Sequence, residues 1–505
     1  MRLRQRERNQ VNEKKHVVII GGGISGLSTA WYLQRQAREQ QIDLTITVLE
    51  QARRWGGKIL TEKIDGIDSD PFVVEAGPDS FITQKPWAVS LARELGLGHR
   101  LLGTNDSNRK VFVLNKGKPT PLPDGVMLIV PTKIKPFVLS PLLSLMGKAR
   151  MGLELLIPPK TDGEDETLAE FINRRLGKEA LDKIAEPLMS GIYNAEAEKQ
   201  SLLATFPRFR DIETKHGSLI KGMVAARKAR SNGSKPNGEN PVPLSMFVSL
   251  SGGTGELIDS LVSQLTGDLK LDSEVARLFK KGPGYGLQLK DGKMLAADAV
   301  VLAVPAHTAA ALLEELVPDC ARRIKAIRYV STGTVSLAYR HDDLRSLSGF
   351  GLVVPRSQGR LINAVTFTSM KFNHRAPSGY GLIRVFFGGS RNQAMMNLSD
   401  EELLKTVQQE LRTTLQIEAE PLFKRIYRWH QANPQYDVGH LSLVEEIEKG
   451  LPSGVLVTGS PYRGIGLPDC VHQGQLAAEK LIDQLKRSEL EIEQVSGQQP
   501  ISIQN

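Results

Sequence analysis

The residues best spaced for chemistry are Gly21-Gly22-Gly23-Ile24-Ser25-Gly26, which hold a G-x-G-x-x-G pattern. Alone the pattern is weak. It gains meaning because the apolar run His16 to Ile20 precedes it and a helical pattern to about Gln40 follows. In that setting Gly21 permits a tight turn, Gly23 lets backbone approach a pyrophosphate, and Gly26 lets the helix pack closely. Ala30 continues the close-packing side. The helix start supplies unpaired N–H groups and a positive dipole end. Glu50, 24 positions after Gly26, ends a second β-branched run, Leu44 to Leu49. Its carboxylate suits ribose hydroxyls, and an acidic residue there opposes a 2′-phosphate, hence NADP. Together these residues predict a dinucleotide-binding βαβ unit.

Two further clusters separate FAD from NAD. Arg54-Trp55-Gly56-Gly57-Lys58 follows closely on Glu50. Alone it reads equally well as a β-turn with exposed charges. After a βαβ unit it resembles the Arg-x-Gly-Gly element of FAD proteins of the amine-oxidase type. Near the other end of the chain, Thr458-Gly459 leads into Gly464-Ile465-Gly466-Leu467-Pro468-Asp469. Asp469 is expected to cap the helix that follows. That helix would aim its positive end at the isoalloxazine and favour the anionic reduced flavin. A plain strand–helix link is the simpler reading. Three histidines, His216, His430 and His440, could move protons, but each reads more simply as a packed or surface residue, and no obligate acid or base is identified. Cys470, just inside a predicted helix start, could be acidified. It has no redox partner nearby in sequence, so packing is the better reading.

The elements that must position these residues can be read in outline. Strands are expected at His16 to Ile20, Leu44 to Leu49, Ala299 to Val304 and Val455 to Thr458. The last helix is expected at Asp469 to Lys486. Segment 91–225 alternates apolar helical patterns with prolines, and Lys133, Lys135, Lys148 and Arg150 flank its apolar runs. Such a stretch could touch a membrane surface. A mostly β segment is expected from Phe247 to Val304. Strands of a second sheet are expected at Tyr329 to Tyr339, Phe350 to Val354, Leu361 to Phe367 and Leu382 to Phe387. A helix follows from about Ser399 to Leu415. Both chain ends thus carry a strand, a glycine turn and a helix, as a domain built from separated segments would.

Bulk properties narrow the partners. The 505 residues suffice for several domains, and 40% hydrophobic with 24% charged residues is an ordinary globular balance. The formal charge is +9. Solubility explains it in part. No zinc spacing, helix-turn-helix signature or basic-aromatic repeat points to nucleic acid, so an anionic small molecule is the better partner. The two cysteines, Cys320 and Cys470, form no disulfide framework or metal cluster and suggest a reducing compartment. No metal site is expected. No 18-residue stretch is continuously apolar. A cytoplasmic protein, in peripheral contact with a membrane at most, is expected.

Several motifs join these clusters in one resemblance. They are Glu75-Ala76-Gly77-Pro78-Asp79-Ser80-Phe81, Glu186-Pro187-Leu188, Ser190-Gly191-Ile192-Tyr193, Lys215-His216, Arg428-Trp429-His430, Pro434-Gln435-Tyr436, Val438-Gly439-His440 and Gly466-Leu467-Pro468-Asp469-Cys470. With His16 to Gly26 they resemble the oxygen-dependent protoporphyrinogen/coproporphyrinogen III oxidase family, most of all its coproporphyrin-forming Gram-positive branch. The likeness runs from about residue 16 to 487. It implies an α/β fold: a discontinuous Rossmann-like FAD-binding domain of the p-hydroxybenzoate-hydroxylase type, a mixed-sheet substrate domain and a helical domain. It implies FAD contacts at Gly21 to Gly26, Glu50, Gln51, Lys58, Gly77, Pro78, Asp79, Ser80, Val275, Trp429, Ile465, Gly466 and Leu467, and substrate contact at Lys85. The implied reaction is a six-electron oxidation of a porphyrinogen in three rounds. Hydride passes to flavin N5, and molecular oxygen reoxidises the flavin and leaves as hydrogen peroxide. Coproporphyrinogen is the favoured substrate and protoporphyrinogen the alternative. Contact with other haem-pathway enzymes is a further expectation. A flavin amine oxidase is a more remote reading, because Val457-Thr458-Gly459-Ser460 lacks the Glu usual before the last helix.

These readings divide the chain into a tail (1–15), a first FAD segment (16–90), a helical and substrate-contacting region (91–225), a loop (226–243), a second FAD segment (244–308), a substrate domain (309–424), a third FAD segment (425–487) and a tail (488–505).

Overall fold

The computed structural model describes residues 14–65, 70–127, 129–131, 133–232 and 245–496. Residues 1–13 of the expected first tail (1–15), residues 497–505 of the expected last tail (488–505) and most of the expected loop at 226–243 lie outside them.

Short runs rich in β-branched residues make the inner strands of a parallel sheet, buried on both faces, while its edge strand Asp268–Lys270 is partly exposed. Lys15–Ile20, Leu44–Leu49, Asp268–Lys270, Ala299–Leu302 and Val455–Val457 form a five-stranded parallel sheet. Its order is 268–270, 44–49, 15–20, 299–302, 455–457. Alternate side chains serve opposite cores. Val17, Ile19 and Val48 pack with the helices Ile24–Glu39, Gly255–Gln264 and Leu467–Ser496. Val18, Ile20 and Leu302 pack with Ala306–Leu313, Pro318–Lys325 and His440–Gly450. Among the described residues the first and last strands flank Ala299–Leu302, and the first and last helices pack together.

The second sheet is mixed and has seven strands. Its order is Phe423–Pro434, Tyr329–Arg340, Tyr380–Gly388, Ile362–Thr366, Gly351–Val353, Val111–Asn115 and Lys118–Pro121. Only the pair Gly351–Val353 with Val111–Asn115 is parallel. The helix Asp400–Leu415 backs this sheet and starts in a capping box, with Ser399 and Glu402 each bonding the other's backbone.

Four expectations need correction. The strand Phe423–Pro434 was missed, because FKRIYRWHQANP shows no clean alternation and lies at a sheet edge, where polar residues are tolerated. It pairs with Tyr329–Arg340 in the mixed sheet, although most of it falls in the segment 425–487 expected for the FAD domain. Segment 91–225 is not purely helical, since Val111–Asn115 and Lys118–Pro121 extend the mixed sheet. The Phe247 to Val304 region contains the helix Gly255–Gln264. The last helix runs over Leu467–Ser496, not Asp469 to Lys486, so Asp469 lies inside its first turn and is not its cap.

Candidate functional site

The first glycine turn shows one open side and one closed side. Gly26 is pressed against the turn: a Cβ there would lie 1.9 Å from the Gly21 carbonyl oxygen. A Cβ at Gly23 would meet nothing nearer than the Gly57 Cα, at 4.0 Å. The helix that starts at Ile24 has no side-chain cap and no acidic residue in its first turn. An anion fits such a cradle, because the exposed N–H groups and the helix dipole both favour it. Glu50 closes the cradle's floor. Its Oε2 accepts the Gly22 N–H at 2.7 Å, and its Oε1 accepts the Ala52 N–H at 2.8 Å. Gln51 beside it is exposed. Ser273 N–H donates to the Glu50 carbonyl at 2.8 Å, which brings the strand Val275–Lys281 and its first residue next to the same corner.

The Arg-x-Gly-Gly segment faces this turn. Gly56 N–H donates to the Gly22 carbonyl at 2.8 Å, and Gly23 and Gly56 form a parallel bridge. Lys58 then turns inward. Its ammonium donates to the Ala432 carbonyl and lies 3.4 Å from Ser460 Oγ. Burial pushes it down to about 8. Ala432 and Ser460 belong to the late segments, so Lys58 joins the beginning of the chain to its end.

Residues 75–80 form the next wall. Gly77 must be glycine, since a Cβ there would lie 1.8 Å from the Lys58 carbonyl oxygen. Trp429 Nε1–H donates to the Ala76 carbonyl at 2.9 Å, and Arg384 reaches the Ala76 and Gly77 carbonyls at 3.0 and 2.6 Å. Thr254 Oγ1 donates to the Pro78 carbonyl at 3.0 Å. Lys371 Nζ sits 3.2 Å from both Asp79 Oδ2 and Ser80 Oγ. Burial raises the Asp79 carboxyl, but Lys371 and Arg384 outweigh it and bring it down to about 2. Thr254, Lys371 and Arg384 went unnoticed in the sequence. They stand far from the glycine turns in the chain and belong to no motif, so only the folded chain connects them.

The last glycine turn is held by side chains. Tyr436 Oη accepts the Gly464 N–H at 2.8 Å and donates to the Ser460 carbonyl at 2.6 Å. Ile465 packs on Tyr436 and Tyr193, and Leu467 joins the core of the parallel sheet. Cys470 is buried there, and burial pushes its thiol up to about 11, so it packs rather than reacts. His440 is buried too. It stacks on Tyr436 with ring centres 3.9 Å apart, and its Nε2 lies 2.8 Å from the Tyr462 carbonyl. His216 ends the helix Pro207–His216, and His430 is exposed on the edge strand. The three histidines are not brought together around one group.

Lys85 belongs to this last turn as well. Its Nζ lies 2.7 and 2.8 Å from the two carboxylate oxygens of Asp469. Its neighbour Gln84 accepts from Arg208 of the helical region at 3.1 Å. Trp87, two residues on, stacks on His472 with ring centres 3.9 Å apart.

Comparison with known proteins fits this geometry. The family profile described as flavin containing amine oxidoreductase matches residues 24–482. The coproporphyrinogen III oxidase of Bacillus subtilis is 36% identical over 94% of this chain and 99% of its own length. Protoporphyrinogen oxidase 1 of Arabidopsis thaliana chloroplasts is 31% identical over 90% of this chain and 85% of its own. A crystal structure assigned as a protoporphyrinogen oxidase, from Exiguobacterium sp. 255-15, superposes with a TM-score of 0.81 at 31% identity. The match covers 94% of this chain and 99% of that one.

Proposed function

The chain belongs to the flavin containing amine oxidoreductase family, and we propose that it oxidises coproporphyrinogen III to coproporphyrin III in haem biosynthesis, using FAD and molecular oxygen. One observation carries this: near-full-length likeness to coproporphyrinogen III oxidases in a chain whose two glycine elements face each other across an open cradle. When bound, FAD would supply the electron-accepting chemistry.

The protein's own residues bind and orient. In the Gly21 to Gly26 turn the Gly21 and Gly22 N–H groups are taken by the Leu49 carbonyl and Glu50. The pyrophosphate would therefore lie over Gly23 and the start of the helix Ile24–Glu39, and Glu50 would receive a ribose, with Gln51 and Val275 at the same end. Lys58, Gly77 to Ser80, Trp429 and Ile465 to Leu467 surround the ring end. Burial weakens the hold of Lys58 on its proton, while its contacts with the Ala432 carbonyl and Ser460 Oγ fix the ammonium at this end of the site. Lys85 offers a cation to a substrate carboxylate. Protoporphyrinogen is the second reading, favoured by the likeness to the Arabidopsis enzyme. Anaerobically prepared coproporphyrinogen III and protoporphyrinogen IX, each followed by porphyrin fluorescence and peroxide release, test both. A faster rate on coproporphyrinogen is expected. Peroxide formation from primary amines but from neither porphyrinogen would overturn the reading.

Peripheral membrane contact is part of this proposal. No helix among the described residues is long and apolar enough to cross a membrane. Yet Ile134, Leu139, Leu145, Met146 and Leu156 are each at least 72% exposed, on the short helices Ile134–Leu139, Leu145–Gly152 and Leu153–Leu156. Lys133 and Lys135 beside them are exposed as well. Apolar side chains with flanking cations suit an anionic lipid surface. Co-sedimentation with phosphatidylglycerol vesicles is expected for the native chain and lost in Leu145→Glu/Met146→Glu.

A further inference from the structure

Lys85 does not stand free. Both oxygens of Asp469 lie within 2.8 Å of its ammonium. Asp469 is mostly covered, its side chain 13% exposed, while that of Lys85 is 45% exposed. The carboxylate is also wedged under the last glycine turn. A Cβ at Gly464 would lie 2.6 Å from Asp469 Cγ, and one at Gly466 would lie 2.9 Å from Oδ2. The absence of side chains at Gly464 and Gly466 is what leaves room for it there. The ammonium has three N–H donors, so its exposed side can still take a second anion. Any anion arriving there meets a cation already neutralised and a fixed negative charge behind it.

We propose that Asp469 is a positioning residue that weakens carboxylate binding at Lys85, holding the ammonium in place while moderating its pull on substrate and product. The inference rests on the porphyrinogen reading above. Oxidation of the macrocycle leaves its carboxylates unchanged, so an unopposed lysine would grip product as tightly as substrate. Contacts shared by substrate, transition state and product lower KM without raising kcat, and they slow release. A fixed carboxylate beside the lysine lessens that grip. At about 5 Å in an exposed, high-dielectric setting, one like charge changes binding by about fourfold, and salt reduces the effect.

The test compares Lys85→Ala, Asp469→Asn and the double variant in steady-state oxidation of coproporphyrinogen III at low and moderate salt. Flavin content is measured for each from its absorbance. Lys85→Ala should raise KM, because it removes the cation and leaves Asp469 unopposed. Asp469→Asn, which keeps the shape under Gly464, should lower KM by about fourfold at low salt and tighten coproporphyrin III binding by the same factor, with no gain in kcat. The double variant should undo part of the KM rise caused by Lys85→Ala. That rescue is the readout that a purely structural carboxylate would not give. If Asp469→Asn fails to fold, Asp469→Ser alone and with Lys85→Ala replaces it. A raised KM in Asp469→Asn, or a double variant no better than Lys85→Ala, overturns the proposal, as does KM unmoved in all three. Those outcomes leave the functional reading standing so long as the unaltered protein oxidises the porphyrinogen; a native chain inactive on both porphyrinogens overturns that reading instead.

Discussion

The turn after the first strand and the turn before the last helix do similar work with different materials. At Gly21 to Gly26 the backbone does nearly everything. The closed side is made by Gly26 against the Gly21 carbonyl, the open side by Gly23, and one carboxylate, Glu50, braces the floor. At Gly459 to Leu467 the turn is pinned by side chains from elsewhere. Tyr436 bonds Gly464 and Ser460, Lys58 reaches Ser460, and the Lys85–Asp469 pair sits under Gly464. A turn built from backbone is specified by what its residues lack. A turn built from side chains is specified by partners far away in the chain, and it can carry charge that acts on a substrate.

The largest effect should come from Gly26→Val. A Cβ placed 1.9 Å from a carbonyl oxygen cannot be relieved by a side-chain rotation. The cost should exceed about 4 kcal/mol, and circular dichroism of any soluble product should show loss of cooperative unfolding. Native-like melting would mean that the first turn is not rigid backbone. Gly23→Val breaks the same motif differently. Nothing lies within 4 Å of its added Cβ except Gly57, so the apoprotein should fold and melt within a few degrees of the native apoprotein. Flavin affinity should fall roughly a hundredfold or more, since the valine fills the phosphate cradle. A yellow Gly23→Val protein would show that the pyrophosphate binds elsewhere.

Glu50→Gln comes next. The new amide would turn a donor toward either the Gly22 or the Ala52 N–H, and a charge-assisted bond to ribose would be lost. Flavin binding should weaken by about 1.5–3 kcal/mol, tenfold to a hundredfold, read as a dissociation constant by fluorescence titration. An unchanged constant would remove Glu50 from the site. Tyr436→Phe tests the other turn. It strands the Gly464 N–H and the Ser460 carbonyl, and should cost about 1–3 kcal/mol of stability in thermal or urea unfolding. Flavin affinity should change less than in Glu50→Gln. A larger loss of flavin than of stability would mean that the second turn is as directly bound to the cofactor as the first.

The sequence by itself determined the parallel sheet's first unit, the facing Arg-x-Gly-Gly segment and the return of the last strand and helix. These depend on local facts: β-branched runs, glycines where a Cβ would collide, and one acid at the end of a strand. It also supplied the mixed-sheet strands between Tyr329 and Gly388, but not Val111–Asn115 and Lys118–Pro121, which lie in a stretch read as helical. It did not show Phe423–Pro434, whose polar residues suit a sheet edge, nor the helix Gly255–Gln264 within a stretch read as β. Only the tertiary structure brought Lys371 to Asp79, Arg384 to the Ala76 and Gly77 carbonyls, and Asp469 to Lys85. Those pairs are 292, 308, 307 and 384 positions apart along the chain. A charge carries no mark of its partner in its own local pattern. Whether Asp469 caps a helix, as expected, or holds a lysine from its first turn, as observed, is decided by what the fold places within 3 Å of it.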